Sequence, residues 1–217
     1  MDCMEGMAQF PDKYFGAIIT DPPYGIDFQS ARRIKSFRKH KILNDKQPFT
    51  EWIRLAYNKM KDEAYLISFY RWDVQEEFLG AIKNAGFKVC GQIVWDKIIH
   101  GMGDLTGSIA PQHELAIFAT KGKYIFPGKR PKSIYREMRV NADQMIHPNE
   151  KPKNLILRLL RDFGIYTPIC EPFAGSGVMP LICENLKIDW IAFEIDKDYY
   201  EAASKRIENY KLQLKLF

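Results

Sequence analysis

Thr167-Pro168-Ile169-Cys170-Glu171-Pro172-Phe173-Ala174-Gly175-Ser176-Gly177, followed by a helix-like run from Val178 to Leu186, decides the fold class of this 217-residue chain. A short apolar stretch, a glycine turn and a helix follow one another. That order lets a ligand approach the backbone closely at the glycines. A lone Gly-x-Gly is weak evidence, because small residues also fill a plain loop between strand and helix. The third glycine of the dinucleotide fingerprint is missing, with Pro180 standing three residues beyond Gly177, so a pyrophosphate is not the favoured ligand. Asp189-Trp190-Ile191-Ala192-Phe193-Glu194 then reads as a strand ending in an acid. Glu194 lies about twenty residues beyond the loop, the spacing at which a carboxylate grips ribose hydroxyls. A surface acid at a strand end is the bland reading; with the loop before it, ribose binding is preferred.

Outward from this unit, strands and helices alternate. Ala17 to Thr20 is an apolar strand, and Phe49 to Tyr57 has apolar residues at helical spacing. Tyr65 to Tyr70 reads as a strand, Val74 to Ala85 as a helix ended by Gly86, and Phe87 to Trp95 and His113 to Thr120 as further strands. Leu155 to Phe163 is helical and stopped by Gly164; Lys197 to Phe217 reads as a terminal helix. Such alternation predicts an α/β fold, a mostly parallel sheet with helices on both faces. The strands from Phe87 and His113 have no helix between them, so an antiparallel pair is expected at one edge.

Asp21-Pro22-Pro23-Tyr24 leaves the end of the first strand. This set suits alkylation of an exocyclic amino group on a nucleobase. Such an amine is a poor nucleophile because its lone pair is delocalised into the ring, and acceptors placed on its two N–H groups localise the pair on nitrogen. A carboxylate can be one acceptor and a fixed backbone carbonyl the other. Proline locks φ and removes a competing N–H. The tyrosine offers a flat face for an unstacked base. An ordinary strand-end turn is the alternative, since Asp and Pro are turn residues.

Composition sets outer bounds. A chain of this length suits one α/β domain, residues 1–217, with a full core, and 46% hydrophobic residues is ordinary for a globule. No apolar run is long enough to cross a membrane, and the acidic N-terminus lacks a signal-peptide pattern. Cys3, Cys90, Cys170 and Cys183 are widely spaced and form no metal signature; reduced thiols in a cytoplasmic protein fit them, and no metal is expected. The net charge of +5 is unevenly spread. One basic insertion, 26–48, carries Arg32, Arg33, Lys35, Arg38, Lys39, His40 and Lys41. A second segment, 122–145, carries Lys123, Lys129, Arg130, Lys132, Arg136 and Arg139, interleaved with Tyr124, Phe126 and Tyr135. A solvated face is the usual meaning of a charge run. Long insertions in a compact fold are more often functional or disordered, and here lysines and arginines would neutralise phosphates while aromatics or arginines met bases.

Taken together, the motifs resemble those of the β-class amino-group DNA methyltransferases, which depend on S-adenosylmethionine. Asp21-Pro22-Pro23-Tyr24 matches the family's (D/N/S)PP(Y/F/W) motif, and Phe173-Ala174-Gly175-Ser176-Gly177 its FxGxG motif. The catalytic motif precedes the cofactor motif, as in bacterial and phage enzymes of the β arrangement. His147-Pro148-Asn149-Glu150-Lys151-Pro152 is similar to the HPTQKP segment that touches the cofactor, with His147 and Lys151 as natural partners of its carboxylate. Asp2-Cys3-Met4-Glu5-Gly6-Met7 resembles a GDCLEGM-like opening whose Asp meets the cofactor adenine. Trp95-Asp96-Lys97 and His113-Glu114-Leu115-Ala116-Ile117-Phe118 resemble strands bordering the target pocket. Met1 stands where Gly is usual, Glu171 where Asp is usual, and Val178 where Thr is common.

The resemblance implies a Rossmann-like methyltransferase fold and base flipping in double-stranded DNA. Asp21 would accept one hydrogen of the target amine and the Pro22 carbonyl the other, Tyr24 would stack on the ring, and the nitrogen would attack the sulfonium methyl in line. S-adenosylmethionine would be held by Asp2, Cys3, His147, Lys151, Phe173, Gly175, Ser176, Gly177 and Glu194. Arg32, Arg33, Lys35, Arg38, Lys39, Lys129, Arg130, Lys132 and Arg136 would meet DNA. The segment 122–145 occupies the family's target-recognition place, and its shortness points to a brief target sequence or to help from a second subunit in a homodimer. Asp21 favours N6 of adenine over N4 of cytosine, whose enzymes usually begin the motif with Ser. A catalytically inactive DNA-binding protein of the same fold and a nucleotide-dependent oxidoreductase are the readings from other classes. The intact Asp21, Tyr24, Gly175, Gly177 and Glu194 argue against the first, and the missing third glycine against the second.

Overall fold

The computed structural model describes residues 1–25, 47–101, 106–107, 109–147 and 149–214. A single seven-stranded sheet organises them, in the order β5-β3-β4-β2-β1-β6-β7. Its strands are β1 (Phe15–Thr20), β2 (Met60–Tyr70), β3 (Lys88–Asp96), β4 (His113–Thr120), β5 (Ile134–Arg136), β6 (Ile169–Glu171) and β7 (Trp190–Ala192). The helices are α1 (Cys3–Ala8), α2 (Trp52–Lys59), α3 (Gln75–Ala85), α4 (Lys153–Phe163), α5 (Val178–Leu186) and α6 (Lys197–Leu214).

Every residue of β1 is buried. This is the signature of a parallel strand covered on both faces, and it explains why the strand reads as an unbroken apolar run instead of an alternating one. β1 pairs in parallel with β2 on one side and with β6 on the other. From β1 the chain steps through α2 to β2; from β6 it steps the opposite way, through α5 to β7. Right-handed crossovers in opposite directions place α2 and α5 on opposite faces. The strand order therefore reverses between β1 and β6, and ligands of open α/β sheets bind at such a point, beyond the carboxyl ends of the strands.

β4 is the one strand that runs antiparallel to its sheet neighbours, β2 and β3. The expected antiparallel pairing of β3 with β4 is present. The edge lies one strand further out, because Ile134–Arg136 adds in parallel to β3 as β5. Reversal of β4 puts its first residues, His113 and Glu114, beside the last residues of β3, at the end where β1 and β6 finish. α4 lays Leu155, Ile156, Leu159, Leu160 and Phe163 into the core, one face at helical spacing. Gly86 ends α3 in the left-handed region, φ 108°, where glycine bears no side-chain penalty. No helix among the described residues is long and apolar enough to cross a membrane.

Candidate active site

Three motifs separated in sequence converge at the carboxyl ends of β1, β6 and β7. Parallel register sets Ile18 beside Cys170, and Glu171 beside Ala192. Asp21, the glycine loop after Glu171 and Glu194 therefore leave the sheet side by side. Asp21, Glu171, His147, Lys151, Gly175 and Ser176 line one hollow, with Phe173 in its wall. Asp2, Cys3, Phe49, Phe193 and Glu194 line a second, which shares Phe173.

Asp21 sits in a chain of alternating charges. Its Oδ1 accepts from the Tyr24 hydroxyl and its Oδ2 from the Lys151 ammonium. Lys151 also lies 3.1 Å from Glu114 Oε2, and Glu114 Oε1 pairs with Lys97 at 2.8 Å. Burial pushes the Asp21 carboxyl up, against the pull of the Lys151 charge. Burial also opposes ionisation of Glu114, but Lys151 and Lys97 outweigh it and hold this carboxyl below its ordinary value. The Lys151 ammonium is raised in turn: burial works against it, while Asp21 and Glu114 prevail. Lys151, expected to meet the cofactor carboxylate, pairs here with two protein carboxylates and lines the same hollow as the glycine loop. The Tyr24 ring is buried and stands nearly perpendicular to that of Phe78, with centroids 6.2 Å apart, and its hydroxyl orients Asp21.

Glu171, noted in the sequence only as a departure from the usual Asp, is a buried part of this site. Its Oε1 accepts from the Thr20 hydroxyl and, at 3.2 Å, from the Phe173 N–H. Burial raises its carboxyl to about 8, so it is mostly protonated at neutral pH.

The glycine loop is tied to its neighbours through the main chain. Ala174 donates to the Phe193 carbonyl at 2.8 Å, and Gly175 donates to Glu194 Oε2 at 2.7 Å. Gly175 and Gly177 have φ of 50° and 71°, and a Cβ on Gly177 would stand 2.8 Å from that of Ala203. That combination explains the second glycine: a left-handed backbone against a helix with no room for a side chain. The His147 ring lies over Gly175, with its centroid 4.5 Å from that of Tyr199, so His147 is beside the loop. Asp2 caps α1 by accepting from the Met4 N–H at 2.7 Å. The neighbouring Cys3 thiol is pushed up to about 12, chiefly by burial, and is unreactive.

Sequence reasoning missed the clamp on this loop. Arg206 of α6 donates to the Ser176 carbonyl at 3.0 Å and pairs with buried Glu150 at 2.9 Å, while Glu150 accepts from the Ile146 N–H at 3.0 Å. Tyr199, Ala203 and Arg206 are spaced as one face of a helix, and that was the available signal. The two hollows suit an elongated ligand with a nucleoside at one end and an amino acid at the other. Glu194 and the aromatic walls match the first end; the Gly175-Ser176 backbone and His147 match the second.

The positions expected to meet DNA divide. Arg32, Arg33, Lys35, Arg38 and Lys39 lie outside the described residues. Lys129, Arg130 and Lys132 are exposed. Arg136 is exposed too, but pairs with Asp96 at 3.0 Å from the edge strand. The aromatics between them face inward. Tyr124 and Phe126 pack with Phe118, Phe163 and Tyr166, and Tyr135 is buried beneath Arg158. Tyr135 belongs to the core, and Tyr124 and Phe126 are half-buried against it.

A family model described as a DNA methylase, N6_N4_Mtase, matches residues 15–205. YubD of Escherichia coli strain K12 is 31% identical over 211 residues, covering 95% of this chain and 87% of that protein. The type II methyltransferase M.HpaI of Haemophilus parainfluenzae is 24% identical, covering 96% of this chain and 73% of that protein. Among solved structures, the M1.HpyAVI–SAM complex superposes with a TM-score of 0.71 at 23% identity, covering 94% of this chain and 96% of that one. The cytosine-N4-specific PvuII DNA methyltransferase also gives 0.71, at 14% identity over 97% and 89% of the two chains. At these identities the structural likenesses establish the α/β methyltransferase fold alone.

Proposed function

The chain belongs to the N6/N4 DNA methylase family and is a DNA methyltransferase, and on that premise we propose that it methylates N6 of adenine in duplex DNA, with S-adenosylmethionine as donor. The observation that carries this reading is the position of Asp21. Its carboxylate leaves the end of β1 into a hollow that the glycine loop also lines.

Bound S-adenosylmethionine supplies an electrophilic methyl on a sulfonium. Glu194 would take the ribose hydroxyls, Asp2 and Cys3 would border the adenine, and His147 with the Gly175-Ser176 backbone would take the amino-acid end. Asp21 then accepts one hydrogen of a flipped amine. The Pro23 carbonyl is engaged by the Phe49 N–H at 3.2 Å. The Pro22 carbonyl is the acceptor assigned to the second hydrogen. Tyr24 holds Asp21 in place from behind. Positioning and exclusion of water supply most of the acceleration, since the carboxylate is a stronger acceptor in a shielded site than in water.

Asp21 favours adenine over cytosine, because N4-cytosine enzymes usually carry Ser at this position. The two amines need the same acceptors, and the fold is shared with a cytosine-N4-specific enzyme. The deciding experiment incubates the protein with unmethylated DNA and labelled donor, then separates the nucleosides. N6-methyladenine is the expected product. Label in N4-methylcytosine would reassign the target base, and no label in DNA would remove the reading.

A further inference from the structure

We propose that Glu114 is a positioning residue for methyl transfer: it retains the Lys151 ammonium when the target amine takes Asp21. This rests on the function proposed above.

Both oxygens of Asp21 are engaged in this structure, one by Tyr24 and one by Lys151. Each oxygen keeps a second lone pair, but an amine that takes Asp21 as an acceptor must share that carboxylate with a buried cation. A buried ammonium without a counter-ion is strongly disfavoured, so it would stay on Asp21 and weaken it as an acceptor for the amine unless another anion received it. Glu114 is placed to be that anion. Its Oε2 is buried 3.1 Å from Lys151, and no donor among the described residues makes a well-directed hydrogen bond to it. The atom therefore has acceptor capacity unused in this arrangement. Its other oxygen is held by Lys97 at 2.8 Å, which anchors the carboxylate. The Lys151 ammonium also lies 4.9 Å from the centre of the Phe69 ring, a second surface that tolerates the cation during the exchange. Reversal of β4 is what brings Glu114 here, from the strand that runs against its neighbours.

Among the described residues, the charged and titratable groups around Asp21 are Tyr24 from its own loop, Lys151 from the segment before α4, Glu114 from β4 and Glu171 from β6, with Lys97 behind Glu114. Removing the Glu114 charge should ease ionisation of Asp21, and removing the Lys151 charge should hinder it.

The test measures methylation of unmethylated bacterial chromosomal DNA across the acid and neutral range, for wild type, Glu114→Gln, Lys151→Met and the double variant. Glu114→Gln should lower kcat roughly tenfold or more, with KM for S-adenosylmethionine within a few-fold. Its acid limb should move to lower pH, and that of Lys151→Met to higher pH. Added to Lys151→Met, Glu114→Gln should cost nothing further, because there is no ammonium left to retain. Glu114→Asp, which keeps the charge, should retain more activity than Glu114→Gln. An equal loss from Glu114→Gln in both backgrounds, or an unmoved kcat and acid limb, overturns the proposal.

A carbon-13 titration of the Asp21 carboxyl group, assigned with Asp21→Asn, follows the same coupling without turnover. A downward shift in Glu114→Gln together with an inactive wild type would uphold the coupling and remove the proposed function. No shift together with an active wild type would remove the coupling alone.

Discussion

Glu194 accepts the main-chain N–H of Gly175 at 2.7 Å through Oε2. Its other oxygen accepts the Asp196 N–H at 2.9 Å. The acid expected to grip ribose thus also fixes the glycine loop, and each carboxylate oxygen keeps a second lone pair for a ligand. Glu194→Gln replaces one acceptor by an NH₂ that faces a backbone N–H. Cofactor affinity should fall by roughly 1–3 kcal/mol, and the melting temperature should fall with it, because one shielded N–H loses its partner. Calorimetry with S-adenosylhomocysteine checks the first and thermal unfolding the second. A lowered melting temperature with unchanged affinity would place the ribose elsewhere.

Arg206 has a comparable double duty. Arg206→Ala strands the buried carboxylate of Glu150 and frees the Ser176 carbonyl, so stability should drop by about 3–5 kcal/mol, the usual scale for breaking a buried pair from one side. Denaturant titration reads this directly. Adding Glu150→Gln to Arg206→Ala should recover part of the loss, because the uncompensated charge disappears. If the double variant is no more stable than the single one, the stranded charge is not the cause.

Asp21→Ala should nearly abolish methylation while leaving S-adenosylhomocysteine affinity within a few-fold. Asp21 lines the hollow with His147 and Gly175, but its oxygens face Tyr24 and Lys151. Substantial turnover at saturating DNA would remove Asp21 from the chemistry.

Much of this architecture was legible because local patterns were strong. The helix Val178–Leu186 lies at the residues its apolar run marks, and the left-handed Gly86 ends α3 where the periodicity stops. Two short elements, α1 and β5, were not legible, whereas the equally short β6 and β7 were marked by the motifs beside them. α1 has six residues and β5 has three, and β5 lies inside a basic run where only Tyr135 points to burial. The packing of Tyr124 and Phe126 against the core was not legible for a related reason: interleaved aromatics and cations look the same in sequence whether the rings face bases or a core. The site divides in the same way. Asp21, Gly175, Gly177 and Glu194 announce themselves through motifs. The contact of Lys151 with Asp21 spans 130 residues, and its contact with Glu114 depends on the reversed direction of β4. Neither pairing leaves a local trace.

Glu171 makes stability depend on pH in a particular direction. Its folded carboxyl is raised from 4.5 to about 8 by burial, so between those values the folded state holds a proton that the unfolded chain releases. Stability should therefore fall as pH rises through this window, by up to a few kcal/mol. Glu171→Gln mimics the protonated form, and its amide oxygen can accept from Thr20 and Phe173 as Oε1 does. The variant should be more stable than wild type near pH 8 and similar to it near pH 4.5. Thermal unfolding across this range checks the sign. A parallel pH dependence for variant and wild type would mean that Glu171 is ionised in the folded protein.

The two basic segments should separate by how they respond to salt and to sequence. Phosphates carry charge but no sequence, so residues that touch only the backbone weaken binding to all DNA alike. For Arg32, Arg33, Lys35, Arg38 and Lys39, replacement by Ala should flatten the dependence of log affinity on log salt by close to one unit per lost phosphate contact. Arg130 and Lys132 are exposed beside the edge strand, and if that segment reads bases their loss should change which sequence is methylated or cost roughly 1–3 kcal/mol at one base position. Arg136 should show a mixed effect. Its guanidinium is bound to Asp96, so Arg136→Ala also loosens the edge where β5 meets β3. Arg136→Lys keeps charge and changes geometry; it should preserve the salt slope while disturbing any bidentate base contact. Binding isotherms at several salt concentrations, with long-read sequencing of DNA methylated by each variant, resolve the three behaviours. If neither segment moves affinity, slope or target sequence, DNA lies against another face of the molecule.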